Sequence, residues 1–170
     1  LRKFRQPDNE ILLGSPIGFT RTYKSKFGVC VYKSFIPSMD EGWTRWSLNH
    51  ELDFLSNRFP DSTEVIVKSI TNPEITNNSL NSCNVIVFPD QAQKAILDGY
   101  EKGRMPTEYV GGLSGIGVEN LKLYIDQGGR LIFLNQSTDF AIDQFNLPIV
   151  NVVKGVSRKD FFVPGSILRI

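Results

Sequence analysis

Polar and charged residues follow three apolar runs of the chain and are its first candidates for chemistry. The set comprises Glu41, Trp43, Arg45, Asp90, Asn135, Gln136 and Ser137. In a parallel sheet such positions share one edge, where a carboxylate beside a guanidinium and an indole can line a binding pocket. We favour a structural role over a binding role, because acids at the first turn of a helix suit its dipole and the Trp suits a core. We therefore treat all seven as binding candidates only.

Catalysis by a serine with a histidine is the sharper possibility. A Ser nucleophile needs an oriented base within hydrogen-bond reach, so Ser137 would need His50, the single histidine of the chain. The sequence has no GxSxG motif around Ser137, and a Ser before a helix is a preferred capping residue. His50 has polar neighbours in the middle of a predicted helix, which is typical of a surface histidine. The sequence predicts no catalytic residue.

The two cysteines, Cys30 and Cys83, each lie in or beside an apolar run. They can lie on neighbouring strands, which leaves a disulfide open. We favour two inert, buried thiols, because free cysteines are among the most buried residue types. One histidine and two separated cysteines do not make a zinc site of the usual spacing, and no carboxylate cluster points to another metal. We expect no cofactor in this domain.

Composition limits the classes of protein to which the chain can belong. The chain has 170 residues, 41% of them hydrophobic and 22% charged, which fits one globular domain with its own core. The formal net charge of +1 gives no reason to expect nucleic acid or an anionic membrane as partner. No apolar run approaches the roughly 20 residues that span a bilayer. Because the chain begins at Leu1 rather than Met, we interpret it as a piece of a longer protein.

Short apolar runs rich in Val and Ile predict four strands. They lie at about 27–33, 64–70, 84–88 and 130–134. Continuous rather than alternating runs are typical of strands that helices cover on both faces. Strands that alternate with helical stretches predict a doubly wound parallel sheet, whose ligands bind at the carboxyl ends of the strands.

Three helices are predicted between and after these strands. The first begins near Ser38, where Ser38 or Asp40 can cap it, and its apolar face starts at Trp43, Trp46 and Leu48 and can continue through Leu52 and Leu55. The second covers residues 117–127 and ends at a pair of glycines. The third begins at Ser137 or Thr138, one of which caps it, and runs to Phe145.

The remaining segments are irregular. Residues 1–26 are interpreted as a connector, with a possible short strand at 11–13, and residues 90–115 are expected to lie over the carboxyl edge of the sheet. The glycine-rich stretch 111–117 lacks the phosphate-loop patterns and is interpreted as a turn. Residues 148–153 are predicted to be extended, and residues 161–170 to form a last strand.

Three stretches resemble a known family. SMDEGWTRW (38–46), GGRLIFLNQSTDFAI (128–142) and SRKDFFVPGSILRI (157–170) are together similar to the domain that follows the peptidase domain in certain bacterial zinc carboxypeptidases. That appended domain is similar to class I glutamine amidotransferases. The resemblance covers residues 27–170 and implies a flavodoxin-like, three-layer α/β/α sandwich, with residues 1–26 leading in from a preceding domain.

The chain departs from the catalytic patterns of both enzymes. Zinc ligation in such carboxypeptidases uses an HxxE motif and a distant His, and the only histidine, in the sequence His50–Glu51–Leu52–Asp53, lacks that motif. An amidotransferase needs a Cys on a strained strand-to-helix turn, beside a His and an oxyanion hole. That turn falls at residues 134–138, which contain no Cys. We expect Asn135 and Gln136 to occupy the position of the Cys, with His50 well beyond hydrogen-bond reach.

The resemblance therefore implies a non-catalytic accessory domain of a secreted or periplasmic zinc carboxypeptidase. Its partner would be the preceding peptidase domain of the same chain, which would hold the zinc, and its role would be to stabilise that domain or to position substrate. The alternative is a small-molecule-binding or hydrolase domain that uses the pocket at the strand ends, near Glu41, Asp90 and Asn135.

Overall fold

The protein is an α/β domain built on a parallel sheet. The computed structural model describes residues 26–58, 64–157 and 159–162. Its strands are β1 (Lys26–Lys33), β2 (Glu64–Thr71), β3 (Val85–Phe88) and β4 (Arg130–Phe133). They lie in the order β2-β1-β3-β4, and every neighbouring pair is parallel. The prediction of a parallel sheet is confirmed, with each strand boundary within one residue of its predicted position.

Five α-helices connect and follow the strands in the described residues. They are α1 (Met39–Arg58), α2 (Asn72–Thr76), α3 (Gln93–Leu97), α4 (Ser114–Asp126) and α5 (Ser137–Gln144). The three long helices were predicted, although α4 begins three residues earlier than expected. The two five-residue helices were not, because one turn is too short to show helical periodicity.

The two faces of the sheet carry different cores. One face, here called the aromatic face, holds Tyr32, Phe88 and Phe133 and is covered by residues of α2 to α5, among them Leu121 and Phe140. The other, here called the valine face, packs against α1. Its buried residues are Val29, Val85 and Val87, with Leu48 and Leu52 of α1 partly buried against them. Helices therefore cover both faces, as the continuous apolar runs predicted.

Cys30 and Cys83 form a disulfide, so the preferred prediction of two free thiols is wrong. Cys30 lies in β1 and Cys83 two residues before β3, and their Cα atoms are 5.6 Å apart, within the range that a disulfide needs. Both side chains are buried in the core of the aromatic face. The burial argument was correct, but it could not show that two buried thiols from neighbouring strands meet.

The start of β3 is held against β1 by a second, non-covalent clamp. The Gly28 N–H donates to Asn84 Oδ1 at 2.7 Å, and the Asn84 N–H donates to the Gly28 carbonyl at 2.8 Å. A Cβ at Gly28 would overlap the Ser82 carbonyl oxygen, so this close approach requires glycine. The clamp and the disulfide together fix the register of the two central strands.

Two predictions about the packing of α1 and the course of residues 148–153 are also wrong. Trp43 and Trp46 do not lie in the apolar face of α1 that packs on the sheet, because both are exposed on its outer side. Residues 148–153 are not extended throughout, because a turn begins at residue 152, and their three valines are exposed. The possible strand at 11–13, the contribution of Leu55 and most of the predicted strand at 161–170 lie outside the residues or side chains that the structure describes.

Candidate functional site

The carboxyl ends of β1 and β3 meet at the point where the strand order reverses. The chain crosses from β1 to β2 on one side and from β3 to β4 on the other. Ligands of open α/β sheets bind in the crevice at such a switch point. Here that crevice is a cleft of about 140 Å³, lined by Tyr32 and Lys33, by four residues of the following loop, and by Glu41 and Gln91. We call it the switch-point cleft.

Glu41 supplies the carboxylate of this cleft. It lies in the first turn of α1, where the positive end of the helix dipole favours a negative charge. Its Oε1 accepts hydrogen bonds from Arg45 Nε at 3.0 Å and from the Ser69 hydroxyl at 3.3 Å. The Glu41 side chain is 10% exposed and that of Arg45 is 44% exposed. The bond from Ser69 therefore ties the start of α1 to β2, while the ion pair with Arg45 remains open to solvent on one side.

Gln91 forms the opposite wall and closes the loop after β1. Its amide nitrogen donates to the Ser34 hydroxyl at 2.8 Å and to the Ile36 carbonyl at 3.1 Å. The Ser38 hydroxyl donates to the Asp90 carbonyl at 3.2 Å, and this bond joins the loop after β1 to the loop after β3. Together these hydrogen bonds fix the shape of the cleft.

The inner end of the cleft is formed by Tyr32. Its hydroxyl donates to Asn72 Oδ1 at 2.6 Å, and both residues are buried. Burial raises the pKa of Tyr32 well above its usual value, because the phenolate would lose its hydration. The phenol is thus neutral, its hydroxyl already donates to Asn72, and it is not poised to act as a base.

The turn between β4 and α5 lies at the same edge of the sheet. Asn135 adopts a left-handed backbone conformation with φ of 48°, which a strand needs in order to turn sharply into a helix. Its side-chain amide donates to Asp90 Oδ2. The Gln136 N–H donates to Asp90 Oδ1 at 3.2 Å, so one carboxylate holds two successive residues of the turn.

Ser137 closes this turn from the inside. Its Oγ accepts from the Leu134 N–H at 2.8 Å and lies 3.1 Å from the Phe88 carbonyl and 2.8 Å from the Leu134 carbonyl, to either of which it can donate. It is buried, and it does not bond the free N–H groups of α5. The prediction that Ser137 or Thr138 caps the helix is wrong, because the Thr138 hydroxyl donates to the Asn135 carbonyl instead.

No thiol and imidazole pair exists at this turn. Both cysteines are consumed in the disulfide, which lies in the core of the aromatic face. His50, the single histidine, lies eleven residues into α1, about 16 Å along the helix axis from its start. Its ring is exposed and packs against Trp46, with centroids 5.2 Å apart. At this turn the amide side chain of Asn135 is bonded to Asp90 instead.

The structure brings most of the seven candidate residues into two groups. Glu41 and Arg45 are paired at the switch-point cleft, and Asp90 joins Asn135 and Gln136 at the turn. Ser137 is buried beneath that turn. Trp43 belongs to neither group, because it lies on the outer side of α1.

Residues that the sequence did not single out complete the cleft. Tyr32 is inside a strand and Ser69 is on the next one, so neither carries a local signal. Ser34 directly follows the first strand, and the rule that places ligands at strand ends was sufficient to include it.

The described residues contain no group of three or more His, Cys, Asp and Glu side chains that could hold a metal ion. None of the described helices is long and apolar enough to cross a membrane. No family model, no curated protein and no solved structure matches the chain.

Proposed function

We propose that residues 27–170 form a non-catalytic accessory domain of a bacterial zinc carboxypeptidase. The peptidase domain would precede this one in the same chain and hold the zinc, and this domain would stabilise it or position its substrate. The proposal starts from the resemblance of residues 38–46, 128–142 and 157–170 to the amidotransferase-like domain of such enzymes.

One observation carries the non-catalytic part of the proposal. At the β4–α5 turn, where an amidotransferase holds its Cys, Asp90 bonds Asn135 and Gln136, and Ser137 bonds the backbone of β3 and β4. Among the described residues no buried side-chain nitrogen or oxygen lacks a hydrogen-bond partner. A site that awaits substrate usually keeps donors free for it, so these closed bonds favour a structural role.

Two further features agree with the proposed fold and compartment. The order β2-β1-β3-β4 supplies the first four positions of the flavodoxin-like order, which supports a flavodoxin-like, three-layer sandwich. The buried disulfide suits a secreted or periplasmic protein, because disulfides persist in oxidising compartments.

Two assays test this proposal. The purified chain is expected to hydrolyse neither glutamine nor peptides, with or without added zinc. The full-length gene product is expected to show peptidase activity, and deletion of residues 27–170 should lower its melting temperature or its kcat/KM. Hydrolysis by the chain itself, abolished by Ser137→Ala or His50→Ala, would contradict the proposal, as would a deletion that changes neither quantity.

A small-molecule-binding role is the second candidate, and Glu41 favours it. Its carboxylate lies in a cleft at the switch point, and only Oε1 is used by Arg45 and Ser69. Titration of the labelled chain with small amines and amino acids, followed by NMR, would show shifts at Gln91 and Ser34 that Glu41→Gln removes. Asp98→Asn is the matched control, because Asp98 pairs with Lys94 at an exposed site. If no saturable shifts appeared, the accessory role would be the only candidate function left.

A further inference from the structure

The side chains that line the switch-point cleft have their hydrogen-bond donors already in use. The hydroxyls of Tyr32, Ser34 and Ser38 each donate to an acceptor within the chain. Both hydrogens of the Gln91 amide are directed at oxygens of the loop after β1, at 2.8 and 3.1 Å. Among the eight residues of the lining, the remaining side-chain donor is the exposed ammonium of Lys33.

Two acceptor oxygens of the same cleft remain open. Glu41 accepts from Arg45 and Ser69 through Oε1, and no described residue donates to Glu41 Oε2 or to Gln91 Oε1. Glu41 and Gln91 are each only 8% exposed. No buried side-chain oxygen of the described residues lacks a partner, so these two oxygens are reached by solvent through the cleft. A ligand that donates several hydrogen bonds would satisfy both.

The charge at this edge of the sheet favours a cation. The carboxylates of Asp40, Glu41 and Asp90 follow β1 and β3, against two cationic side chains, those of Lys33 and Arg45. Arg45 is 44% exposed and the Glu41 side chain 10%, so solvent screens the guanidinium more than the carboxylate. A bound anion would lie beside that carboxylate, whereas a bound cation would be attracted to it.

The size and the walls of the cleft limit what the cation can be. A volume of about 140 Å³ holds about five water-sized atoms, at roughly 30 Å³ each. Ile36 and Pro37 supply an apolar wall, against which methylene groups gain free energy by burial. A bare metal ion would leave most of this volume to water, and a guanidinium on an alkyl arm is larger than the cleft. A short, unbranched alkyl arm with a terminal cation fits it.

We propose that the switch-point cleft binds a primary alkylammonium group, with Glu41 Oε2 and Gln91 Oε1 as its acceptors. An ammonium has three N–H donors and no acceptor, which complements a cleft whose open side-chain groups are acceptors. The same group ends a lysine side chain and a free aliphatic amine, and the cleft recognises the chemistry that they share. The proposal rests on the small-molecule-binding role, the second candidate function, and names its class of ligand.

A titration of the labelled chain with n-butylammonium chloride, followed by NMR, tests the proposal. Saturable shifts are expected at the Gln91 side-chain amide and at the Ser34 N–H, and sodium butyrate, of similar size and opposite charge, should cause none. Glu41→Gln should weaken binding at least about tenfold, because it removes the charge that the ammonium contacts. Asp98→Asn, at an exposed ion pair, is the matched control and should leave the affinity unchanged.

Arg45→Met separates a ligand role of Glu41 from a structural one. The variant removes the cation that shares this carboxylate and keeps the carboxylate itself. It should therefore bind n-butylammonium at least as tightly as the unaltered chain. If Arg45→Met weakened binding as much as Glu41→Gln does, the ion pair would matter only for the shape of the cleft, and the proposal would be overturned.

A pair of blocked amino acids identifies the source of the ammonium group. N-acetyl-lysine methylamide should cause the same shifts as n-butylammonium if the cleft takes lysine side chains of peptides, and its norleucine analogue, which lacks the amine, should cause none. Binding of n-butylammonium without binding of the lysine compound would assign the cleft to free amines. Either result supports an alkylammonium site.

Three other outcomes overturn the proposal, and they separate it from the functions proposed above. Saturable shifts with butyrate but not with n-butylammonium would exclude an ammonium ligand and leave a binding role standing. Equal shifts with potassium chloride at the same concentrations would assign the cleft to a bare cation. No saturable shift with any of these probes would remove both this proposal and the binding role. The accessory role would be untouched, because the deletion of residues 27–170 tests it independently.

Discussion

The two faces of the sheet are built from similar strands but are covered very differently. On the aromatic face, residues from α2 to α5 enclose a ring cluster, in which the Phe88 centroid lies 4.8 Å from those of Tyr32 and Phe133 and 5.8 Å from that of Phe140. The disulfide lies in the same core. On the valine face, three small side chains pack against one helix, and Ile132 of β4 is 46% exposed.

The two faces therefore differ in how much they contribute to stability and in what their helices expose. Burial of large aromatic side chains contributes more free energy than burial of valines, so the aromatic face should dominate the free energy of unfolding. The valine face buries little, yet its single helix carries two exposed tryptophans and begins at the switch-point cleft. Binding sites drawn from the less stable part of a domain are the usual arrangement.

Phe88→Ala is expected to have the largest effect. The ring is fully buried among three others, and truncating such a residue costs about 3–5 kcal/mol of unfolding free energy. Urea unfolding followed by circular dichroism would measure the loss. The control is Phe162→Ala, at an exposed position. An equal, small loss in both variants would contradict the ring cluster as the main source of stability.

Removal of the disulfide should follow. The two cysteines are 53 residues apart, and closing a loop of that size typically stabilises a domain by about 2–4 kcal/mol. The unfolding midpoint of the unaltered chain should fall when a reductant is added, whereas Cys30→Ala/Cys83→Ala should be less stable and indifferent to the reductant. An unaltered chain that the reductant does not affect would show that the bond is not formed.

Val87→Ala gives the matched measurement on the other face. Val87 precedes Phe88 in β3 and points to the opposite side, and the loss of two buried methyl groups costs about 1.5 kcal/mol at roughly 0.8 kcal/mol each. Ile132→Thr keeps the β-branched shape at a half-exposed position on the same face and should change stability by less than about 0.5 kcal/mol. A Val87→Ala loss as large as that of Phe88→Ala would remove the difference between the faces.

Tyr32→Phe is expected to have the smallest effect at neutral pH, about 1 kcal/mol for the lost hydrogen bond to Asn72. Its effect on alkaline stability is more specific. Burial raises the pKa of Tyr32, so its contribution is fully present below the unfolded pKa of about 10 and is lost as the pH rises above it.

The variant should therefore lose less stability than the unaltered chain between neutral and alkaline pH. Tyr124, whose pKa burial also raises, remains as a smaller source of alkaline sensitivity. The control is Tyr109→Phe, at an exposed site, which should leave the pH profile unchanged. Parallel profiles for all three proteins would contradict the role of Tyr32.

The strands were predictable because their signal is local. Four Val- and Ile-rich runs are sufficient to find β1 to β4, and their continuity indicates cover on both faces. The start of α4 was missed by three residues, because Gly115 and Gly117 lower the helix propensity of its first turn. In the structure, Gly117 lies against the Leu113 side chain, a close contact that the sequence does not show.

The site was less predictable because its contacts join distant parts of the chain. The acids after β1 and β3, Glu41 and Asp90, were found by position, but the pairing of Asp90 with Asn135, 45 residues away, depends on the strand order. The orientation of α1 was misjudged for a different reason. Leu48 and Trp46 are both apolar, so a helix with apolar residues on two sides gives no sequence signal for which side faces the sheet.

The disulfide also determines how the domain responds to mechanical load. A pull on the amino-terminal segment enters the sheet at Lys26, and only the residues before Cys30 can peel from their neighbours. Beyond that point the force passes through a covalent bond to Cys83 and into β3, which lies between β1 and β4. The hydrogen bonds of the rest of β1 are then shielded. Under such a load the part of β1 beyond Cys30 would therefore be among the last parts of the sheet to separate.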